Sequence, residues 1–182
     1  MNPTPVSQQV PFHILTDLRA EGPHPDYAQK LMLFGQFIGV WDMDVRFFNP
    51  AGDEISHRQA EWQFSWILDG RAIQDVLKSV DQQDAAKNAP GQRGIGTTLR
   101  YYNPKLDLWR VVWFGVSSGL FVSLTGRPSA TGILLEGLED DGTLNQWSFS
   151  EITPDSFRWR GMASKDNGAS WYLEEEMFAR RK

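Results

Sequence analysis

The chain contains no cysteine, which excludes disulfide staples, thiol nucleophiles and cysteine metal sites. Histidine is nearly as scarce, with only His13, His24 and His57. Two of these lie close to the N-terminus, so a compact three-histidine metal centre is not expected; His57, beside Arg58, reads as an exposed strand position. No clustered basic face is visible: the net charge is −5, and the one basic run, Arg180-Arg181-Lys182, reads as a solvated tail. Nucleic-acid binding needs a positive footprint and is not expected. No stretch approaches the roughly 18 apolar residues of a membrane helix. The opening MNPTPVSQQV has neither a basic nor an apolar leader region, so a soluble, cytoplasmic protein with no membrane partner is expected. P-loop, nucleophile-elbow and dinucleotide signatures are also missing; Gly94-Ile95-Gly96 lacks a third glycine and a following helix. No cofactor and no metal are expected.

What is abundant is the aromatic side chain: 8 Trp, 11 Phe and 4 Tyr in 182 residues. Such rings are large and stiff, and they suit strands and pocket walls. The length fits one domain with a core that needs no staple. Residues 1–25 read as an N-terminal arm, because Pro3, Pro5, Pro11, Pro23 and Pro25 forbid a long helix or central strand. The arm still carries Phe12, Ile14, Leu15 and Leu18, each losing roughly 1.5–3 kcal/mol if left in water. It is either a plain leader or an ordered segment from about Pro11 that lies across the domain or against a second copy, most economically in a symmetric homodimer, with Phe48 and Phe178 as candidate contacts.

Residues 26–182 read as a single domain. A helix is expected over 26–37, with Asp26 and Gln29 resembling a capping box. Tyr27, Leu31, Phe34 and Ile38 form its apolar stripe. The period then changes to two: Trp41, Met43, Val45 and Phe47 alternate with Asp42, Asp44 and Arg46. Strand-like runs follow over 55–68, 71–80, 95–102, 108–115, 120–127, 132–139, 144–152, 157–164 and 169–179. Turn signals such as Asp69-Gly70, Asn103-Pro104 and Asp166-Asn167-Gly168 separate them. Regular short strands with short polar turns indicate an antiparallel up-and-down meander. About ten such strands avoid exposed edges by closing, so the expected fold is an all-β closed barrel. One connection, residues 81–94, is far longer than a hairpin needs and is either a lid or a plain surface loop.

Gly39-Val40-Trp41, opening the first strand after a helix, resembles the Gly-x-Trp signature of lipocalins and other calycins. The resemblance implies that Trp41 packs at the closed end of the barrel, with Arg180 or Arg181 lying over it. A wider resemblance, carried by GRAIQDV (70–76), RYYNPKLDLWRVVWFG (100–115) and ITPDSFRWRGMASKDNGASWYLEEEMFARR (152–181), is to a group of bacterial lipocalin-like proteins known only as a domain of unknown function. It implies the barrel and no activity. The related haem-binding nitrobindin barrels hold iron through a late histidine; nothing after His57 can supply one.

Candidate site residues are charges on apolar strand faces. Alternation places Arg71, Ile73, Asp75 and Leu77 on one face, Trp171, Leu173, Glu175 and Met177 on another, and Arg100 with Tyr102 on a third. A charge inside a barrel is costly unless paired, so Asp75 or Glu175 is expected to face Arg71 or Arg100 across the lumen. Arg71 and Arg100 are candidate anchors for an anionic ligand. Tyr102, Trp62, Trp66 and Trp113 are candidate walls for its hydrophobic or aromatic body, and the remaining rings are core. Three readings stay open: a small-molecule binding barrel; a cofactor-free acid/base enzyme (isomerase, cyclase, lyase or hydrolase) using Asp75, Glu175 or Tyr102; and a homodimeric interaction domain with a filled barrel.

Overall fold

The structure is a computed structural model, described here for residues 14–182. The period-two runs become ten strands: β1 (Gly39–Phe48), β2 (Glu54–Ile67), β3 (Ala72–Val80), β4 (Ile95–Asn103), β5 (Leu108–Gly115), β6 (Leu120–Ser129), β7 (Gly132–Glu139), β8 (Leu144–Ser150), β9 (Ser156–Ser164) and β10 (Tyr172–Arg181). Each pairs antiparallel with its neighbour in sequence, and β1 also pairs with β10, closing the barrel. Closure leaves no free sheet edge. Cross-strand partners share a face. The inward set therefore runs through Trp41, Trp62 and Leu77, and through Phe64, Asp75, Thr98 and Trp113, around the wall.

The helix differs from expectation. Pro25–Tyr27 forms a 3₁₀ turn, and α2 covers only Ala28–Gly35; a short preceding turn of helix, α1, spans Ile14–Asp17. Asp26 is not the N-cap: its backbone N–H donates to His24 Nδ1 at 3.3 Å, and Tyr27 caps α2 with no side-chain bond. Pro25 presets the tight first turn. Leu31 and Phe34 of the expected stripe are buried, while Tyr27 stays partly exposed above Tyr102. Helix α2 plugs one end of the barrel.

The described part of the arm is laced to that same end. Ala20 N–H donates to Trp66 O (3.1 Å), Leu68 N–H to Asp17 O (3.3 Å) and His24 N–H to Gly70 O (3.0 Å). Gly22 O passes so close to Gly70 that a side chain there has no room, and Gly70 is also left-handed at φ +73°. Ile14 and Leu15 remain exposed and Leu18 half-buried. Phe12 lies outside the described residues.

Candidate ligand-binding cavity

The plugged end is sealed by the Gly-x-Trp segment. Trp41 is fully buried, and its indole N–H donates to Phe37 O at 2.7 Å. Arg181, rather than Arg180, lies over it, with the guanidinium carbon 4.0 Å from the ring centre. Its Nε, Nη1 and Nη2 donate to the carbonyls of Pro154, Ile38 and Gln36 at 2.7, 2.8 and 2.9 Å. Gly39 sits at φ +128°, where a Cβ would meet Arg181 Nη1 at 2.8 Å. Phe37 and Phe157 complete the seal, their ring centres 4.8 Å apart.

Beyond this packed layer a cavity of about 490 Å³ remains. That is within the usual range for a small-molecule site. Trp62, Trp113, Trp147, Phe149 and Trp159 form its walls, and Phe48, Ile55, Ser118 and Leu120 its mouth at the opposite end from α2. Gly96 gives the Trp113 ring its place: a side chain at Gly96 would overlap the indole.

Arg100 forms the floor. It is 2% exposed, and its guanidinium carbon lies 4.9 Å from the ring of Phe34 on the plug and 5.2 Å from that of Phe64. Nη2 is paired with Asp75 on the adjacent strand, and Asp75 Oδ1 also accepts from Thr98 N–H at 3.2 Å. Asp75 itself does not border the cavity. Burial pushes its carboxyl above the ordinary range, opposed chiefly by the Arg100 charge. Burial likewise lowers the Arg100 guanidinium, with Asp75 opposing. Arg100 Nε and Nη1 have no acceptor among the described residues. Unmet buried donors are rare and costly, so Arg100 is a cavity-lining cation whose hydrogen-bonding needs are met only in part by the described residues. The Trp62 indole N–H is also buried without a well-aligned partner, close to Asp75.

The mouth carries the opposite charge. A bulge in β10 between Leu173 and Glu175 breaks the alternation: Leu173 pairs with Met162, and Glu175 with Gly161. An extra residue re-aims a strand, and here Glu174 and Glu175 both border the cavity, together with Glu139 and Asn145. Asn145 Nδ2 donates to Glu139 at 2.7 Å. Glu175 keeps some accessible surface because it borders open cavity space, yet wall atoms enclose it. Burial pushes its carboxyl up to about 8, against the Arg58 charge and with help from Glu174. Glu174 is raised by burial and then by Glu139. Arg58 lines the cavity near the mouth, 4.2 Å over the Phe47 ring.

Of the residues singled out from sequence, Arg100, Trp62, Trp113 and Glu175 border the cavity, with Asp75 behind Arg100. Arg71 does not. The β2–β3 turn runs through left-handed Leu68, Asp69 and Gly70, and pairing resumes only at Ala72. Parity counted back from Ile73 therefore fails, and Arg71 is exposed, in contact with His24 at 2.7 Å. Tyr102 lies at the plugged end, its hydroxyl donating to Asp107 at 2.6 Å. Trp66 is buried at that end against Gly35. The bulge also removes Trp171 from the face of Glu175, and an irregularity between Phe47 and Phe48 turns Phe48 toward the cavity rather than outward. Within residues 81–94, Asp81, Gln82, Gln83, Lys87 and Gln92 border a second, polar groove that shares Arg58 with the cavity, and none of 81–94 lines the cavity itself. Sequence reasoning missed Arg58, although counting back from Trp62 and Ala60 puts it inside. Glu174 carried no signal, since a bulge leaves no mark in alternation.

A closed antiparallel barrel with an internal, ligand-sized cavity open at one end is a lipocalin-like fold. Among solved structures the chain is similar to the S-type phycobiliprotein lyase CPES from Guillardia theta, at 11% identity over 83% of this chain and 91% of that one, with a TM-score of 0.55. It also aligns with EF1p2_mFAP2b bound to DFHBI, at 10% identity over 84% of this chain and 99% of that one, with a TM-score of 0.42. No family profile and no curated sequence matches the chain. At such identities the likeness is one of fold alone. Among the described residues no group of three His, Asp or Glu side chains is placed to hold a metal, and no helix is long and apolar enough to cross a membrane.

Proposed function

We propose that this barrel binds a small molecule with a hydrophobic, flat body and an anionic group, the anion seated on Arg100. One observation carries the reading: a buried guanidinium on the cavity floor, paired once to Asp75 and keeping Nε and Nη1 without acceptors. Nε and Nη1 lie on different edges of the guanidinium, either side of the Asp75-bonded Nη2, so each offers a single charge-assisted hydrogen bond to an oxygen of a carboxylate, sulfonate or phosphate. The tryptophan walls match a flat apolar body, and the size of the cavity matches one such molecule. Asp75 keeps the empty floor from holding a lone buried charge, so the site persists between ligands.

The test is a titration with 8-anilinonaphthalene-1-sulfonate, which joins a flat body to a sulfonate. Wild-type protein binds one equivalent with enhanced fluorescence. The double variant D75N/R100M, which removes the charge pair together, folds and binds at least tenfold more weakly. Equal affinity in the two proteins overturns the reading. Native mass spectrometry of freshly purified protein shows a retained ligand directly. The exposed Ile14 and Leu15 support the reading of the arm as the contact of a homodimer. Removing residues 1–16, which spares the segment laced to Gly70, then halves the solution mass.

A further inference from the structure

The cavity has two polar ends, and only the floor is used by the reading above. At the mouth, the β10 bulge turns two consecutive carboxyls, Glu174 and Glu175, onto one wall. Without the extra residue, neighbours on a strand point to opposite faces, and Glu176, the next residue, does so: it leaves the cavity and is held on the outer face by Arg158 (2.9 Å) and Arg160 (2.6 Å). Glu176 is therefore a neutralised structural carboxylate. No hydrogen bond or ion pair holds Glu174 or Glu175 among the described residues. Arg100, buried and short of acceptors in the same cavity, independently marks the space as a ligand site.

We propose that Glu174 and Glu175 form a proton-transfer centre acting on the far end of the bound molecule, and that the molecule is a carbonyl compound with an enolisable C–H. This inference rests on the binding reading, because Arg100 supplies the anchor. The Glu174 carboxylate takes the proton from the carbon next to the carbonyl. The C–H pair becomes the new C=C bond, the carbonyl π pair moves onto oxygen, and the Glu175 carboxylic acid donates its proton there. The enol forms with no other reactant. In the reverse step Glu174 returns its proton to a different face or carbon and the Glu175 carboxylate takes back the enol proton, which gives the isomer and restores both carboxyls. Two carboxyls whose surroundings hold them in different protonation states suit this division of labour. Glu175, pushed up to about 8 by burial, is the acid at neutral pH; Glu174, raised by burial and Glu139 with Lys165 opposing, is assigned the base. The charges around them are Arg58 from β2 and Glu139 from β7, with Lys165 and Asp141 in the flanking turns acting on Glu174.

The experiment uses 4-acetylbenzoate and its longer homologue 4′-acetylbiphenyl-4-carboxylate, each with a carboxylate for Arg100 and a ketone at the other end. Exchange of the acetyl protons in D₂O is followed by NMR at saturating ketone. Wild-type protein accelerates exchange of at least one of the two by about a hundredfold or more over buffer. The rate falls above about pH 8, as Glu175 loses its proton. E174Q and E175Q each abolish the acceleration at ketone concentrations that displace 8-anilinonaphthalene-1-sulfonate from the same variant. Exchange that is unchanged in both variants, or absent although the ketones displace the dye, overturns this inference and leaves the binding reading standing. Bound dye that neither ketone displaces overturns this inference and leaves the binding reading standing; dye that does not bind the wild-type protein overturns the binding reading and this inference with it.

Discussion

Two arginines, one in the seal of the plugged end and one on the cavity floor above it, are treated in opposite ways. Arg181 spends its guanidinium on three main-chain carbonyls and the face of Trp41. Arg100, in a comparable aromatic setting beside Phe34 and Phe64, has one partner and two idle donors. The sealed end is what a structural cation looks like when its needs are met from within. The floor of the cavity is what remains when some of them are left for a ligand. The carboxylates divide in the same way: Glu61, bonded to Lys182 and Lys78 on the outer wall, is held down at about 2, and Glu175, enclosed at the mouth, is pushed up to about 8. Satisfied polar groups stabilise a fold, and unsatisfied ones weaken it in exchange for recognition.

The comparison is broken first at the sealed end. W41A removes a buried indole and its bond to Phe37, and should destabilise the protein by about 3–5 kcal/mol in a denaturant titration. Dye affinity of the remaining folded protein should hardly change. R100M alone should cost about as much, roughly 3–5 kcal/mol, because it strands the buried Asp75. D75N/R100M should recover most of that stability and none of the affinity, so the two variants separate folding from binding.

Glu175 gives a smaller effect with a definite sign. Its folded pKa lies above its unfolded one, so the fold holds the proton more tightly than the open chain does. Relative to E175Q, wild-type stability should be unchanged below pH 4.5, decline between pH 4.5 and about 8, and stay level beyond. The gap at pH 9 should be about 1–4 kcal/mol, the cavity space next to the carboxyl keeping it below the fully buried limit. A gap that widens toward acid instead would show that Glu175 is paired. R71A should do least, within about 0.5 kcal/mol and with no change in dye affinity, because Arg71 lies on the exposed rim of the turn.

The strand pattern was legible almost throughout, because period-two alternation and turn residues act locally; the ten runs match the ten strands to within a few residues. The site was legible only where alternation runs unbroken from a secure anchor. Arg100 and Trp113 follow from such runs, and Arg58 would have followed from Trp62. Arg71 was misplaced because a three-residue left-handed turn resets the parity, and Glu174 was invisible because the bulge in β10 is fixed by pairing with β9 across the sheet. The helix was overextended because its apolar stripe of Tyr27, Leu31, Phe34 and Ile38 runs on past the helix end at Gly35.

The most direct test of the account is the ¹⁵N–¹H signal of the arginine Nε groups, assigned with R100K and R181K, during addition of 8-anilinonaphthalene-1-sulfonate. The account predicts a saturable shift of the Arg100 Nε signal that tracks dye fluorescence, with the Arg181 Nε signal fixed in place by its bond to Pro154. Bound dye that leaves the Arg100 signal unmoved would contradict it.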